Sequence, residues 1–391
     1  MQTICEKENC TGCAACMNLC PTGCITMAED EIGHFFPKID AARCIDCKQC
    51  ARICPANHLP ELKLPDRAFA AWSLDRDEHT RSSSGGLASV LTRKTLEAGG
   101  VVYGCSSRLT EEGVVHARVD RIEDAETLRG SKYLQSKIGD SYKKVRDDLS
   151  AGRQVLFIGT PCQVGGLRAF LGREYEKLLT VDLICHGTPP QKLFYEDTGL
   201  RPGDPEDLRI SFRSPDGFYI RVFSRNGALV YERQEYNSLF YLGFSKNLFL
   251  RECCYTCPYA RLDRTADITI GDFWGLGKDA PFSHSTKDGV SVVLPCTEKG
   301  KAVLDALRGE LFLEERDVKE AVGGNGCLDH PSFRHKNAAL FCTLYPQRGF
   351  VRAAKRCLQK DIPKYRLLKQ KQKRPAFLRT VLRIKRALRK K

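Results

Sequence analysis

One cysteine pattern, written twice, constrains this chain more than any other feature in it. Cys10, Cys13, Cys16 and Cys20 precede Pro21, and Cys44, Cys47, Cys50 and Cys54 precede Pro55, so each run reads C-x2-C-x2-C-x3-C-P. This is the spacing at which two 4Fe-4S cubanes share one small fold: each run gives three thiolates to one cubane and its last cysteine to the other. Cross-wiring assigns Cys10, Cys13, Cys16 and Cys54 to one cluster and Cys44, Cys47, Cys50 and Cys20 to its partner. Gly12, Ala14 and Ala15 are small enough to let backbone amides face the inorganic sulfurs.

Zinc and disulfides are the competing uses of eight cysteines. Zinc sites usually take two pairs of ligands, not two runs of four. Disulfides need an oxidising compartment, and the opening MQTICEKENC has neither the basic nor the apolar segment of an export signal. Residues 1–63 therefore read as a bacterial-type two-cluster ferredoxin domain. Cys5 and Cys24 fall outside the pattern and are expected as buried, small apolar residues.

A chain of 391 residues is too long for that domain alone. It has no run of about eighteen apolar residues, the length a transmembrane helix needs. With twenty cysteines and no export signal, the expected location is a reducing cytoplasm. The net charge of +14 resembles a nucleic-acid signal until it is mapped. Residues 351–391 hold 17 of the 62 bases and one of the 48 acids, Asp361, leaving 45 bases and 47 acids elsewhere. The body is nearly neutral, and the charge belongs to a tail at 346–391. In LRTVLRIKRALRKK, Leu378, Val381, Leu382, Ile384 and Leu388 recur at near-helical spacing among arginines. That suits an anionic membrane surface at the inner face or an acidic partner, against the plainer reading of a solvated terminal helix. No nucleic acid is expected: Phe377 alone offers a stacking aromatic there, and no nucleic-acid module is visible.

Between ferredoxin and tail, residues 64–345 alternate in the α/β manner. Strands are expected at 68–73, 101–105, 114–119, QVLFIG and LLTVDLIC, with helices at 86–98, near 135–150 and near 190–198. LRISFR, FYIRVFS and ALVYERQ read as a three-stranded insertion. A helix near 237–246, the strand ADITIGD and a strand-helix-strand unit at 290–316 follow. The fold class is α/β, α+β overall: a mixed or parallel sheet flanked by helices, with the ferredoxin domain before it and a basic helical tail after it.

Two turns in this domain have the composition of anion cradles. Ser82, Ser83, Ser84, Gly85 and Gly86 head a helix, and Gly159, Thr160, Pro161, Cys162 and Gln163 join a strand to another, with Gly165 and Gly166 permitting close approach. Together they suggest a nucleotide-like cofactor with several phosphates, although neither is the dinucleotide fingerprint G-x-G-x-x-G. A second cysteine group, Cys253, Cys254 and Cys257, needs further ligands, and Cys162 and Cys185 lie at one edge of the expected sheet. A third cluster on Cys162, Cys185, Cys254 and Cys257 competes with buried free thiols or a zinc knuckle. Cys105, Cys296, Cys327, Cys342 and Cys357 read as core residues.

The stretches RSSSGGLASVL, GGVVYGC, GSKYLQS, GTPCQVGGLR, VDLICHG, CCYTCPYA and ADITIGDFWG occur in that order. The chain resembles, nearly throughout to about residue 345, the beta subunits of coenzyme F420 hydrogenases and dehydrogenases with a fused N-terminal ferredoxin domain. The resemblance implies an FAD-binding α/β domain with its own 4Fe-4S cluster, whose flavin exchanges hydride with coenzyme F420 or another small substrate. It makes Ser84, Gly85, Gly86, Lys132, Thr160, Gln163 and Asp272 flavin-site candidates, and Cys162, Cys185, Cys254 and Cys257 ligands of a third cluster. Cys253 stands where relatives more often have a smaller polar residue. Similar chains occur where the deazaflavin is not expected, some beside surface-polysaccharide enzymes, which leaves the substrate open.

Flavin takes two electrons as hydride and releases them singly, so it belongs between a hydride donor or acceptor and one-electron clusters. The expected protein is an iron-sulfur flavoprotein oxidoreductase served by a redox partner such as a ferredoxin. The chief alternative is a non-catalytic electron-transfer subunit docking on a partner enzyme. A structural iron-sulfur protein would leave both anion turns unexplained. No catalytic residue is assigned, and His186 is a candidate only by its place beside Cys185.

Overall fold

The computed structural model describes residues 3–203, 207–214 and 216–372. The two cysteine runs fold alike. Gly12 and Ala14 in the first, and Asp46 and Lys48 at the matching positions of the second, all have left-handed backbone, with φ of 68°, 60°, 52° and 56°. Such angles are uncommon for residues other than glycine. Recurring every second residue, they turn successive N–H groups to one side, as in an anion-binding nest. A short helix, Ala15–Leu19 in the first and Gln49–Arg52 in the second, lies within each run. The runs are joined by a hairpin that periodicity did not reveal, β1 (Ile25–Glu29) and β2 (Phe35–Ile39), closed by the Asp30 carboxylate accepting from the N–H groups of Ile32, Gly33 and His34.

The main domain is built on eight strands: β3 (Ala68–Ser73), β4 (Val101–Cys105), β5 (His116–Val119), β6 (Val155–Gly159), β7 (Leu178–Leu183), β11 (Ile268–Asp272), β12 (Ser291–Pro295) and β13 (Leu311–Arg316). Their order is β13-β3-β12-β11-β7-β6-β4-β5, and four adjacent strands, β11, β7, β6 and β4, are parallel. Val155, Leu156 and Phe157 are all buried, as a strand covered on both faces requires. The sheet is mixed because β5, β12, β3 and β13 join antiparallel at the flanks. The carboxyl ends of the four parallel strands share one edge, where open α/β sheets bind ligands.

The insertion forms a separate three-stranded sheet of β8 (Arg209–Ser214), β9 (Gly217–Phe223) and β10 (Leu229–Gln234). Its Phe212, Ile220 and Val222 pack with Phe240, Phe249, Phe341 and Phe350 in one apolar cluster. The helix expected near 135–150 starts only at Ser141, because residues before it form a loop at the sheet edge. The boundary drawn after residue 345 falls inside the helix Ala338–Cys357, beside Pro346 and the non-helical Gly349. Phe350, Ala353 and Ala354 beyond it are buried with the main domain. The basic, apolar repeat at 377–391 lies outside the described residues. Cys342, expected in the core, is exposed on this helix.

The ferredoxin domain is docked, not tethered. Cys13, Ala14 and Ala15 share an apolar cluster with Tyr142, Val164, Leu167 and Phe170. A side chain at Gly166 would meet Cys13 Cβ at 2.9 Å, and one at Gly165 would meet the Tyr259 hydroxyl at 2.6 Å. The close approach foreseen for these glycines is therefore made by protein and not by a ligand. Lys63, the last residue of the ferredoxin domain as drawn from the sequence, exchanges two 2.8 Å backbone hydrogen bonds with Arg264.

Candidate electron-transfer and cofactor site

Three cavities run in sequence through the molecule. The first is lined by Cys10, Cys13, Cys16 and Cys54, with Cys5 and Thr11. The second is lined by Cys162, Cys185, Cys254 and Cys257, with Thr11, Arg251 and Cys253. The third, about 500 Å³, opens at the carboxyl edge of the parallel strands. Thr11 is common to the first two, and Cys185, His186, Gly187 and Thr188 are common to the second and third.

Topology gathers the thiols of the second cavity: Cys162 follows β6 and Cys185 follows β7, while Cys254 and Cys257 are brought over by the 3-10 turn Glu252–Thr256. Burial pushes Cys13 and Cys162 up to about 12 and Cys257 up to about 11. A thiol so enclosed stays protonated and inert unless a metal displaces its proton. Among the described residues no three His, Cys, Asp or Glu side chains converge on a position for one metal ion. The thiols line the cavities. In the second run, Cys50 lies within electrostatic reach of Cys47 and Cys20, and Cys24 within that of Cys20 and Cys44.

Cys5 and Cys24, expected as buried apolar residues, and Cys253, not assigned as a ligand, stand against these groups. Cys5 lies beside Cys10 and Cys54 and lowers the pKa of both thiols. Cys253 likewise lowers the pKa of its neighbour Cys254, and Cys24 lies 3.4 Å from Cys20, sulfur to sulfur. Hydrogen bonds to ligand sulfurs are a means of tuning cluster potential. The only sequence signal was proximity in the chain.

Six of the seven flavin-site candidates line the large cavity: Ser84, Gly86, Lys132, Thr160, Gln163 and Asp272. Gly85 does not. It lies against the sheet, its N–H donating to Ser291 Oγ at 2.9 Å and its carbonyl accepting from Ser73 N–H at 2.7 Å. In the serine turn, Ser82 donates to the Glu78 carbonyl at 2.7 Å, and Ser83 accepts from the Ser131 N–H at 2.7 Å. Ser84 Oγ is buried with no hydrogen-bond partner among the described residues. Such a hydroxyl calls for a polar group to meet it.

The remaining candidates are held by neighbours. Lys132 lies in a loop, and its ammonium donates to the carbonyls of Leu128 and Gly130 at 2.8 and 2.7 Å, fastening that loop along the cavity. Burial lowers its pKa. Thr160 and Gln163 form a capping box at the head of the helix Pro161–Leu171, and Gln163 also donates to Ser136 Oγ at 3.1 Å. Thr160 Oγ1 is 3.2 Å from Cys162 Sγ, tying the cavity wall to the thiol group. Asp272 pairs with Arg213 at 2.6 Å, a partner contributed by β8 that the sequence did not single out. Cys105, expected in the core, lines the cavity.

His116 backs this wall, stacked on Phe157 with 4.7 Å between ring centroids and Nδ1 at 3.2 Å from Ser136 Oγ. Burial, helped by Lys132, pushes it down to about 3. Below its ordinary value of about 6.5 the unfolded chain binds a proton that the folded chain refuses. The stabilisation is therefore complete above about pH 6.5 and lost as pH falls toward 3. His116→Gln is expected to flatten the fall of the urea midpoint between about pH 6.5 and 5; an unchanged slope would remove His116 from that role.

Residues 152–321 match the family described as the C terminus of the coenzyme F420 hydrogenase/dehydrogenase beta subunit, and residues 9–58 match a 4Fe-4S dicluster domain. The chain joins a 4Fe-4S dicluster ferredoxin domain to a domain of the F420 hydrogenase/dehydrogenase beta-subunit family. It is an iron-sulfur electron-transfer oxidoreductase related to the F420 hydrogenase beta subunit. Among curated relatives, an uncharacterized ferredoxin of Methanocaldococcus jannaschii is 37% identical over 57 residues, 15% of this chain and 73% of its own. The pyruvate synthase subunit PorD of the same organism is 38% identical over 60 residues, 15% of this chain and 65% of its own. A chain of the F420-reducing NiFe hydrogenase complex from Methanosarcina barkeri aligns over 73% of this chain and 94% of its own, at 19% identity and a TM-score of 0.46. No helix among the described residues is long and apolar enough to cross a membrane.

Proposed function

We propose that this chain is an iron-sulfur flavoprotein that passes electrons between 4Fe-4S clusters and an FAD, which exchanges hydride with coenzyme F420 or another small molecule. The observation that carries the reading is the continuity of the three cavities, each sharing wall residues with the next. Cys10, Cys13, Cys16 and Cys54 would hold one cluster, Cys20, Cys44, Cys47 and Cys50 the second, and Cys162, Cys185, Cys254 and Cys257 a third. When bound, the flavin supplies the step between two-electron hydride chemistry and one-electron clusters.

The residues at the large cavity support this use. Ser84 offers the unpartnered hydroxyl, and Gly86, at φ 87°, turns the chain into the helix Leu87–Glu97, whose first residues line the cavity. Lys132, through its carbonyl contacts, holds the loop that closes one side. The Asp272–Arg213 pair also lines the cavity. His186 stands between the second and third cavities, and the walls around it keep its pKa below the ordinary histidine value. A neutral imidazole there can accept a proton from substrate.

External electrons are best placed to enter at the second cysteine run, where Cys44 and Cys47 are half-buried and Ile45, 65% exposed, stands among the exposed bases Arg43, Lys48 and Arg52. A redox protein with an acidic face fits that surface. The test of the whole reading is the cofactor content of the anaerobically purified chain. About twelve iron atoms with one released FAD are expected. About eight iron atoms and no flavin would leave a ferredoxin joined to a non-catalytic domain.

A further inference from the structure

Arg251 is 1% exposed, yet among the described residues no carboxylate lies within ion-pair distance of it. The comparably buried Arg264 meets Asp182 at 3.1 Å. Every acceptor around Arg251 is neutral: NH1 donates to the Cys10 carbonyl at 3.1 Å, NH2 to the Phe35 carbonyl at 2.6 Å, and Nε and NH2 to Gln135 Oε1 at 3.3 and 3.2 Å. The guanidinium also lies over the Phe36 ring, 4.6 Å from its centroid. Removing an ion from water without a counter-charge is unfavourable, and arginine does not lose its proton in compensation.

The surroundings say where the counter-charge belongs. A side chain at Gly12 would meet the guanidinium at 2.6 Å, so this glycine, beside Cys10 and Cys13, is kept bare for Arg251. Arg251 also lines the cavity of Cys162, Cys185, Cys254 and Cys257. It is thus placed between two groups of thiols. Each becomes a site of net negative charge when thiolates hold a cubane.

We infer that Arg251 is the fixed positive charge that balances the first and third clusters and favours electron arrival on one or both. The inference rests on the cluster assignment proposed above. One electron leaves the donor protein and one arrives at a cubane; no bond forms and no proton moves, so the added negative charge must be met by a charge already in place. Arg251 is already in place, with Gln135 fixing its orientation.

The test is an EPR-monitored redox titration of the full-length, anaerobically purified holoprotein. Arg251→Gln is expected to make reduction of at least one cluster about tenfold less favourable, a shift of about 59 mV for a one-electron couple. Arg251→Lys keeps the charge and is expected to stay much nearer the wild-type potential. Gln135→Glu sets a carboxylate on the guanidinium and is expected to act in the same direction as Arg251→Gln. It decides the matter if Arg251→Gln fails to retain iron. Wild-type potentials in both Arg251→Gln and Gln135→Glu, or in Gln135→Glu alone where the other loses iron, would overturn the inference. Failure of the cluster assignment shows separately, as an iron content below about twelve in the wild type.

Discussion

Cys254→Ser is expected to lower the iron content of the anaerobically purified chain from about twelve atoms to about eight. The N-terminal clusters should still be reduced by dithionite, because Cys254 lines the second cavity and not the first. On the proposed reading, the loss should isolate the flavin, so that electrons given to the ferredoxin domain no longer bleach it. Cys54→Ser makes the complementary test. Although Cys54 belongs by sequence to the second run, it lines the cavity of Cys10, Cys13 and Cys16. Its loss should alter the EPR signal of that cluster and spare the cluster of Cys44, Cys47 and Cys50. An iron content unchanged in Cys254→Ser would sink the third cluster, and the reverse pattern in Cys54→Ser would sink the cross-wiring.

The second large effect concerns a glycine that sequence alone placed among the ligand contacts. A Cβ at Gly85 would lie 2.0 Å from the Ala71 carbonyl oxygen and 2.9 Å from the Ser291 nitrogen, both backbone atoms of the sheet. Neither can move as the tip of a flexible side chain could. Gly85→Ala is therefore expected to cost about 3 kcal/mol or more, and to lower the melting temperature by roughly 6 °C or more. Gly86→Ala meets nothing nearer than 3.3 Å, but Gly86 has a φ of 87°. Its expected cost is the left-handed backbone term, about 1–2 kcal/mol. Equal melting temperatures for the two variants would refute the distinction.

Legibility in the sequence followed the range of the signal. The cysteine runs are local, and their spacing suggested setting Cys54 with residues some forty positions away, beside which it lines one cavity. Strands such as VLFIG announced themselves by continuous apolar character, because a central parallel strand is covered on both faces. The hairpin Ile25–Glu29 and Phe35–Ile39 was missed: its strands are short, and one contains Pro37. The start of the helix at Ser141 was misplaced because residues just before it serve the cavity wall, a tertiary role that periodicity does not record.

At the site, motif resemblance found the cavity but not the partners within it. Arg213 reaches Asp272 from a strand 59 positions away, and nothing local in RISFRS marks it. Ser83 and Ser84 are neighbours of the same type, yet one is committed to Ser131 and the other has no partner among the described residues. Arg251 lies beside a cysteine cluster in RECCYTC and reads locally as an ordinary surface base. Its burial against Phe35, Phe36 and Cys10 depends on how the ferredoxin domain seats, and that is a long-range fact.

That seating has a consequence for how the protein works through time. Gly166 against Cys13, and Lys63 bonded to Arg264, join the two halves through buried and backbone contacts. The ferredoxin domain is therefore not a shuttle that swings between a loading and an unloading position. Separations between its cysteines and those of the main domain are set at folding and need not be searched for at each turnover. Diffusion enters only where an outside molecule arrives, at the exposed loop around Ile45 or at the mouth of the large cavity.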